Sequence, residues 1–156
     1  MEDSYELTVK HPNTVFELYT QITVSQAFNP NKVSTDYKPE VIQVNGLWDT
    51  GANCSCISER VAKALNLKVH AQSIVEHAKG TDSRYTYAVN INIPKIGMPF
   101  YGLYVNEFNA PDDFDVLIGM DIINSGDFAI SNFNGKTTLT FRVPSKAEID
   151  FESESL

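Results

Sequence analysis

Asp49 stands in the run Trp48-Asp49-Thr50-Gly51-Ala52, a carboxylate among apolar and small residues where most strands carry no charge. A carboxylate on such a loop can hold a water and take a proton from it. Thr50 adds a hydroxyl able to donate to a nearby main-chain carbonyl and brace the loop. Gly51 lacks the Cβ that would block an extended ligand from bonding to the main chain. The plainer reading is a turn-forming Asp that accepts backbone N–H bonds. One carboxylate alone does not complete metal-free peptide hydrolysis. One group must remove a proton from water while another supplies a proton to the substrate carbonyl. Asp115 and Asp121 are the acids to check as that second group, and helix capping or ion pairing is the ordinary role for both.

Other chemistries find less support. Cys54 and Cys56 with His70 and His77 match no common zinc spacing, and cysteine often serves as a small buried hydrophobe. No elbow such as Gly-x-Ser-x-Gly places a serine nucleophile. No metal and no cofactor is expected. If both cysteines lie on an extended strand they face opposite sides, so no disulfide is expected between them. Reduced thiols fit a cytoplasmic location, and the acidic start Met1-Glu2-Asp3-Ser4-Tyr5 lacks the pattern of a secretory signal. With 12 basic and 20 acidic residues the net charge is −8, which disfavours nucleic acid as a partner. No apolar run approaches the ~20 residues that span a bilayer, so no membrane partner is expected.

The elements that must position Asp49 are mostly strands. Residues 15–19 and 21–24 are β-rich and lead to the turn composition Asn29-Pro30-Asn31-Lys32, which predicts a hairpin in this region. Residues 40–44 form a further strand running into Asn45-Gly46, read as a turn or bulge that bends the chain just before Asp49. Ser58 caps a helix over 59–65, with Glu59 in the first turn and Val61 and Leu65 on one face. Residues 68–78 and 85–93 read as a long projecting hairpin joined through 79–84. A strand over 98–108 follows, then a short apolar run over 115–118 that stops at Gly119, and a single helical turn over 120–124. Strands over 128–131 and 137–143 are joined through Asn134-Gly135. The pattern is all-β, a barrel or a sandwich. Residues 1–14 are read as a flexible segment, 15–143 as the domain, and 144–156 as a mobile acidic tail.

Three features in order carry a resemblance. Leu47-Trp48-Asp49-Thr50-Gly51-Ala52, followed by Ser55 and Ile57, resembles the active-site segment of the retropepsin-like aspartic proteases. His77-Ala78-Lys79-Gly80 resembles the start of their flap hairpin in bacterial and retroelement-related members. Val116-Leu117-Ile118-Gly119-Met120-Asp121-Ile122-Ile123 resembles their second signature, and the match covers residues 41–143. The resemblance implies a closed β-barrel with one or two short helices and a flap hairpin, acting as a homodimer. Pepsin-like relatives carry two such motifs in one chain, and this sequence has Asp-Thr-Gly once.

Under this resemblance Asp49 and its copy share one proton and one water. Two like charges so close cannot both ionise easily, an effect for which aspartic-protease dyads are the standard case. Thr50 would brace the loop across the two-fold axis, Gly51 would contact the substrate backbone, and Ala52 would complete the loop. Ala78, Lys79, Gly80 and Thr81 would close over an extended polypeptide substrate. Ile118 and Gly119 would pack beneath the loop. Asn53 and Met120 stand where many viral members carry an acid and an arginine that tie the site to the dimer contact. The flanks are also longer than the short terminal strands that seal the viral dimer. The competing class is a catalytically silent peptide-binding or dimerisation module of the same fold.

Overall fold

The computed structural model describes residues 4–77 and 80–152. Alternating apolar residues drive most of the strands. In β2 (Tyr19–Gln26) Ile22 and Val24 are fully buried while Gln21 is exposed, and in the strand Gly80–Ile93 the buried apolar residues among those described are Tyr87, Val89, Ile91 and Ile93. A period of two puts each set on one face. Each such side chain stabilises the fold by roughly 1.5–3 kcal/mol through removal from water.

The elements run in the order β1 (Tyr5–Lys10), β2, β3 (Val41–Trp48), β4 (Cys56–Ser58), α1 (Glu59–Ala64), β5 (Val69–His77), β6 (Gly80–Ile93), β7 (Met98–Phe108), β8 (Val116–Ile118), α2 (Met120–Ile123), β9 (Asp127–Ser131) and β10 (Thr138–Val143). One sheet has the order β2-β3-β8-β4-β7-β6-β5, and β2 also pairs with β6. That extra pairing closes β2, β3, β8, β4, β7 and β6 into a six-stranded barrel and leaves β5 outside it. The remaining strands form a sheet of order β1-β10-β9.

Several expectations met the structure unchanged. Ser58 is the N-cap of α1 and accepts from the Val61 N–H, and Lys63 pairs with Glu59 one turn away. The connection from β9 to β10 turns through Asn134 and Gly135, both at positive φ. Met120–Ile123 is the single helical turn expected there.

Other expectations are corrected. Asn45-Gly46 makes no turn and lies within β3, paired with Gln21 and Thr20. A Cβ on Gly46 would come within 2.9 Å of Ile118 Cδ1, so the glycine serves close packing against side chains of the strands beside it rather than a bend. Within the stretch 1–14, read as flexible, residues 5–10 form β1, registered from Tyr5↔Val143 to Lys10↔Thr138. Leu7 is its buried anchor. Beyond β10, Ser145–Ala147 are not loose either. Asp127 accepts from the Ser145 hydroxyl and from the N–H groups of Lys146 (2.8 Å) and Ala147 (3.3 Å), while Arg142 pairs with the same carboxylate. No helix among the described residues is long and apolar enough to cross a membrane.

Candidate active site

The chain leaves β3 at Trp48 and enters β4 at Cys56, yet β8 lies between those two strands. The connection therefore arches over the C-terminal end of β8, where Gly119 sits. Asp49 is on that arch. Its N–H donates to Ile118 O at 3.0 Å, and the Met120 N–H donates back to Ala52 O at 2.8 Å. A Cβ on Gly119 would lie 2.6 Å from the Cys54 carbonyl carbon, so only glycine lets the arch descend this far.

Trp48 fixes the near end. Its indole N–H donates to Thr20 Oγ1 at 2.7 Å, and its ring stacks on Phe128 (5.4 Å between centroids) and tilts against Phe141 (5.1 Å). The barrel and the β1-β10-β9 sheet thus meet directly under Asp49. The Asp49 carboxylate is half-buried and accepts from the Gly51 N–H at 2.8 Å, while Thr50 and Gly51 are exposed. This is the Asp-turn that the plain reading allowed, and among the described residues it leaves the second carboxylate oxygen open.

Ser55 fixes the far end. It is fully buried; its hydroxyl donates to Asp121 Oδ1 at 2.7 Å and accepts from the Gly119 N–H at 3.0 Å. The Ser55 N–H also donates to both oxygens of Asp121. Ser55 was quoted in the motif without a role. A small hydroxyl six residues past Asp49 and an acid two past Gly119 were the signals that could have paired them.

Neither candidate second acid completes a catalytic pair within the chain. Asp121 is committed to Ser55. Asp115 accepts from the hydroxyl of the cap residue Ser58 at 2.6 Å and from Arg60 Nε at 3.0 Å, the second being the ion pairing expected of it. Among the described residues no second carboxylate bonds to Asp49, and no group of three or more His, Cys, Asp or Glu could hold a metal.

The β5–β6 hairpin is present, and β6 runs through what was read as its polar connection. Its ladder extends from Val69↔Tyr87 to His77↔Gly80. Pairing of β6 with β7 begins only at Thr86↔Asn106, so residues 80–85 have β5 as their sole strand neighbour and the hairpin projects beyond the barrel. Asn106 also pairs with Cys56, so the hairpin leaves the barrel close to the end of the Asp49 arch. Of the four tip residues singled out, Gly80 and Thr81 begin β6, and Ala78 and Lys79 lie outside the described residues. An open cleft of about 490 Å3 lies at the base of the hairpin, lined by Cys56, Glu59, Ser83, Arg84, Asn106 and Glu107 among others.

Cys54 and Cys56 do not face apart. Cys54 sits on the arch before β4 begins, and the two sulfurs converge on Asn106. The Asn106 side-chain amide donates to Cys54 Sγ at 3.3 Å, and Cys56 Sγ donates to Cys54 O at 3.6 Å. Burial and contact with Cys54 push the Cys56 thiol up to about 11, and both cysteines are free.

Comparison with known proteins agrees with this geometry. Residues 40–125 match the family described as "gag-polyprotein putative aspartyl protease". The chain belongs to that family, within the retropepsin-like aspartic proteases. Among solved structures it is similar to a retropepsin-like aspartic protease from Rickettsia conorii, with 14% identity and a TM-score of 0.50, over 90% of this chain and 96% of that one. It is also similar to the retroviral protease-like domain of Ddi1 from Leishmania major, with 22% identity and a TM-score of 0.49, over 88% and 100%. The comparison with curated proteins gives no match.

Proposed function

We propose that this protein is an aspartic endopeptidase that works as a homodimer, with water activated between Asp49 and its copy in a second subunit. The observation that carries the reading is the state of the Asp49 carboxylate. It is held by the Gly51 N–H on a loop anchored at both ends, and among the described residues its other oxygen is open and no second carboxylate bonds to it. A second copy supplies the missing group. One carboxylate of the pair is then protonated and polarises the peptide carbonyl, and the other takes the proton from the attacking water. No covalent intermediate forms.

The substrate is an extended polypeptide lying between the arch and the β5–β6 hairpin, which acts as a flap. The second copy has a strand edge to meet. β9 is the last strand of its sheet, its outer edge carries no strand among the described residues, and Ile130 and Phe133 near it are exposed. Unpaired edges are ready templates for another chain, and antiparallel pairing of β9 with its own copy satisfies a two-fold axis.

The test compares wild type with Asp49→Asn on a mixed peptide library at mildly acidic and neutral pH, with pepstatin-type inhibition as a cross-check. Cleavage by wild type alone supports the reading. Equal cleavage by both proteins, or a strict monomer in sedimentation even with a bound peptide analogue, overturns it. Peptide binding and self-association without cleavage assign the silent module instead.

A further inference from the structure

We infer that Cys54 and Cys56, beside the cleft that Cys56 lines, form a thiol–disulfide exchange site whose oxidant is a low-molecular-weight disulfide such as oxidised glutathione. Three observations support it. Both thiols are free and only partly buried. They are in contact, with Cys56 Sγ reaching the Cys54 carbonyl while the Asn106 amide holds the Cys54 sulfur. Cys56 also lines the open cleft below the hairpin, which gives a small oxidant a way in.

The exchange balances in two steps. The Cys54 thiol loses its proton and attacks one sulfur of the oxidant. A Cys54–S–S–R bond forms, the oxidant's S–S bond breaks, and the leaving thiolate takes a proton. The Cys56 thiol then loses its proton and attacks Cys54 Sγ, expelling the second thiolate, which is protonated in turn. The protein gives up two electrons and two protons, and one small disulfide becomes two small thiols. The first step falls to Cys54, which the Asn106 amide holds in place, because burial keeps its neighbour Cys56 protonated. Cys56, which burial holds as a thiol at neutral pH, is the poorer nucleophile and is left the second step, where contact with Cys54 offsets its small thiolate fraction.

The consequence for the site follows from what lies between the two cysteines. Ser55 is the residue that ties the arch to Asp121 and Gly119. A covalent bridge across it redirects the backbone at both of its neighbours and disturbs the far anchor of the Asp49 loop. This effect on peptide cleavage rests on the function proposed above; the exchange itself does not.

The full chain is equilibrated with graded ratios of oxidised to reduced glutathione, alkylated, and digested without reduction. The peptide ending at Arg60 carries both cysteines. It is expected to lose the mass of two hydrogens and become resistant to alkylation, reversibly with dithiothreitol. Cys54→Ser and Cys56→Ser are each expected to carry one glutathione instead. Two adducts on wild type, no reaction, or a bond between chains on a non-reducing gel overturns the site.

Peptide cleavage, where the reduced protein shows it, is expected to fall at least tenfold on oxidation and to stay constant in the double serine variant. Disulfide formation with unchanged cleavage overturns the control of the site. Absence of cleavage in every state speaks against the endopeptidase reading alone. In that event the sole tryptophan, Trp48, reports the loop. An emission change on oxidation in wild type only supports the coupling, and an unchanged emission overturns it.

Discussion

The Ser55 hydroxyl donates to Asp121 Oδ1 across 2.7 Å while accepting the Gly119 N–H, so one buried side chain joins the arch, β8 and α2. Replacing Ser55 with Ala leaves a carboxylate without its O–H donor and a buried N–H without its acceptor. Ser55→Ala is expected to lower stability by about 1–3 kcal/mol. Urea titration followed by Trp48 fluorescence measures it, and peptide cleavage is expected to fall along with it.

Gly119→Ala tests the same junction from the other side. The new Cβ meets the Cys54 and Ser55 main chain rather than a flexible side-chain end. The arch has to lift, with an expected loss of about 1–3 kcal/mol or more from overpacking. A parallel loss of cleavage, larger than that caused by a core change of equal stability cost, marks displacement of Asp49.

Self-association at β9 is tested with Ile130→Lys. A lysine on an exposed edge blocks edge-to-edge pairing and costs the monomer little, because Ile130 is already 46% exposed. Sedimentation is expected to show a weakened dimer and thermal melting of the dilute monomer to stay nearly unchanged. A dimer of undiminished strength rejects this edge as the contact.

Acid sensitivity follows from Asp127. Donation from the Lys146 N–H, then from Ser145 and Arg142, holds its carboxyl far below the ordinary 3.8. The lowered value belongs to the folded state, so the contribution is present above the ordinary value and fades as pH falls below it. Asp127→Asn is expected to release residues 145–147 at neutral pH, seen as faster hydrogen exchange at Lys146 and Ala147, and to flatten the acid limb of the stability curve.

The alkaline limb has the opposite sign. Burial and then a bond to Glu107 raise Tyr87 from 10.0 to about 12, and the bond to Glu17 does the same for Tyr19. Their contributions are complete below 10.0 and disappear as pH rises towards about 12. Stability measured across that window is expected to fall less steeply in Tyr87→Phe.

Much of the frame was legible because its signals are local. Ser58 before Glu59 marks the start of α1, Asn134-Gly135 marks a turn, and the strand-like run over 85–93 marks the inner part of β6. The candidate site segment was marked by resemblance, since Asp49 and Gly119 sit in recognisable runs. What stayed hidden depends on contacts between distant segments. Gly46 reads as a turn residue until Ile118 is placed against it. Residues 5–10 are a short strand with charged ends whose partner β10 lies at the other end of the domain, and nothing nearby announces it. The convergence of Cys54 and Cys56 was lost by assuming that regular strand covers both, whereas the arch continues through Cys54 and strand begins at Cys56.

The register Tyr5↔Val143 has a consequence for how the molecule is made. During vectorial synthesis β1 emerges first and has no partner until β10 has cleared the ribosome. The barrel can close before then, because β2 to β8 hold every barrel strand. The second sheet, and with it Phe128 and Phe141 beneath Trp48, comes last. Pairings of such long sequence separation fold slowly and leave edges exposed meanwhile. A nascent chain whose barrel has closed still has an unsupported Asp49 loop, and the loop gains its floor only once β9 and β10 are in place.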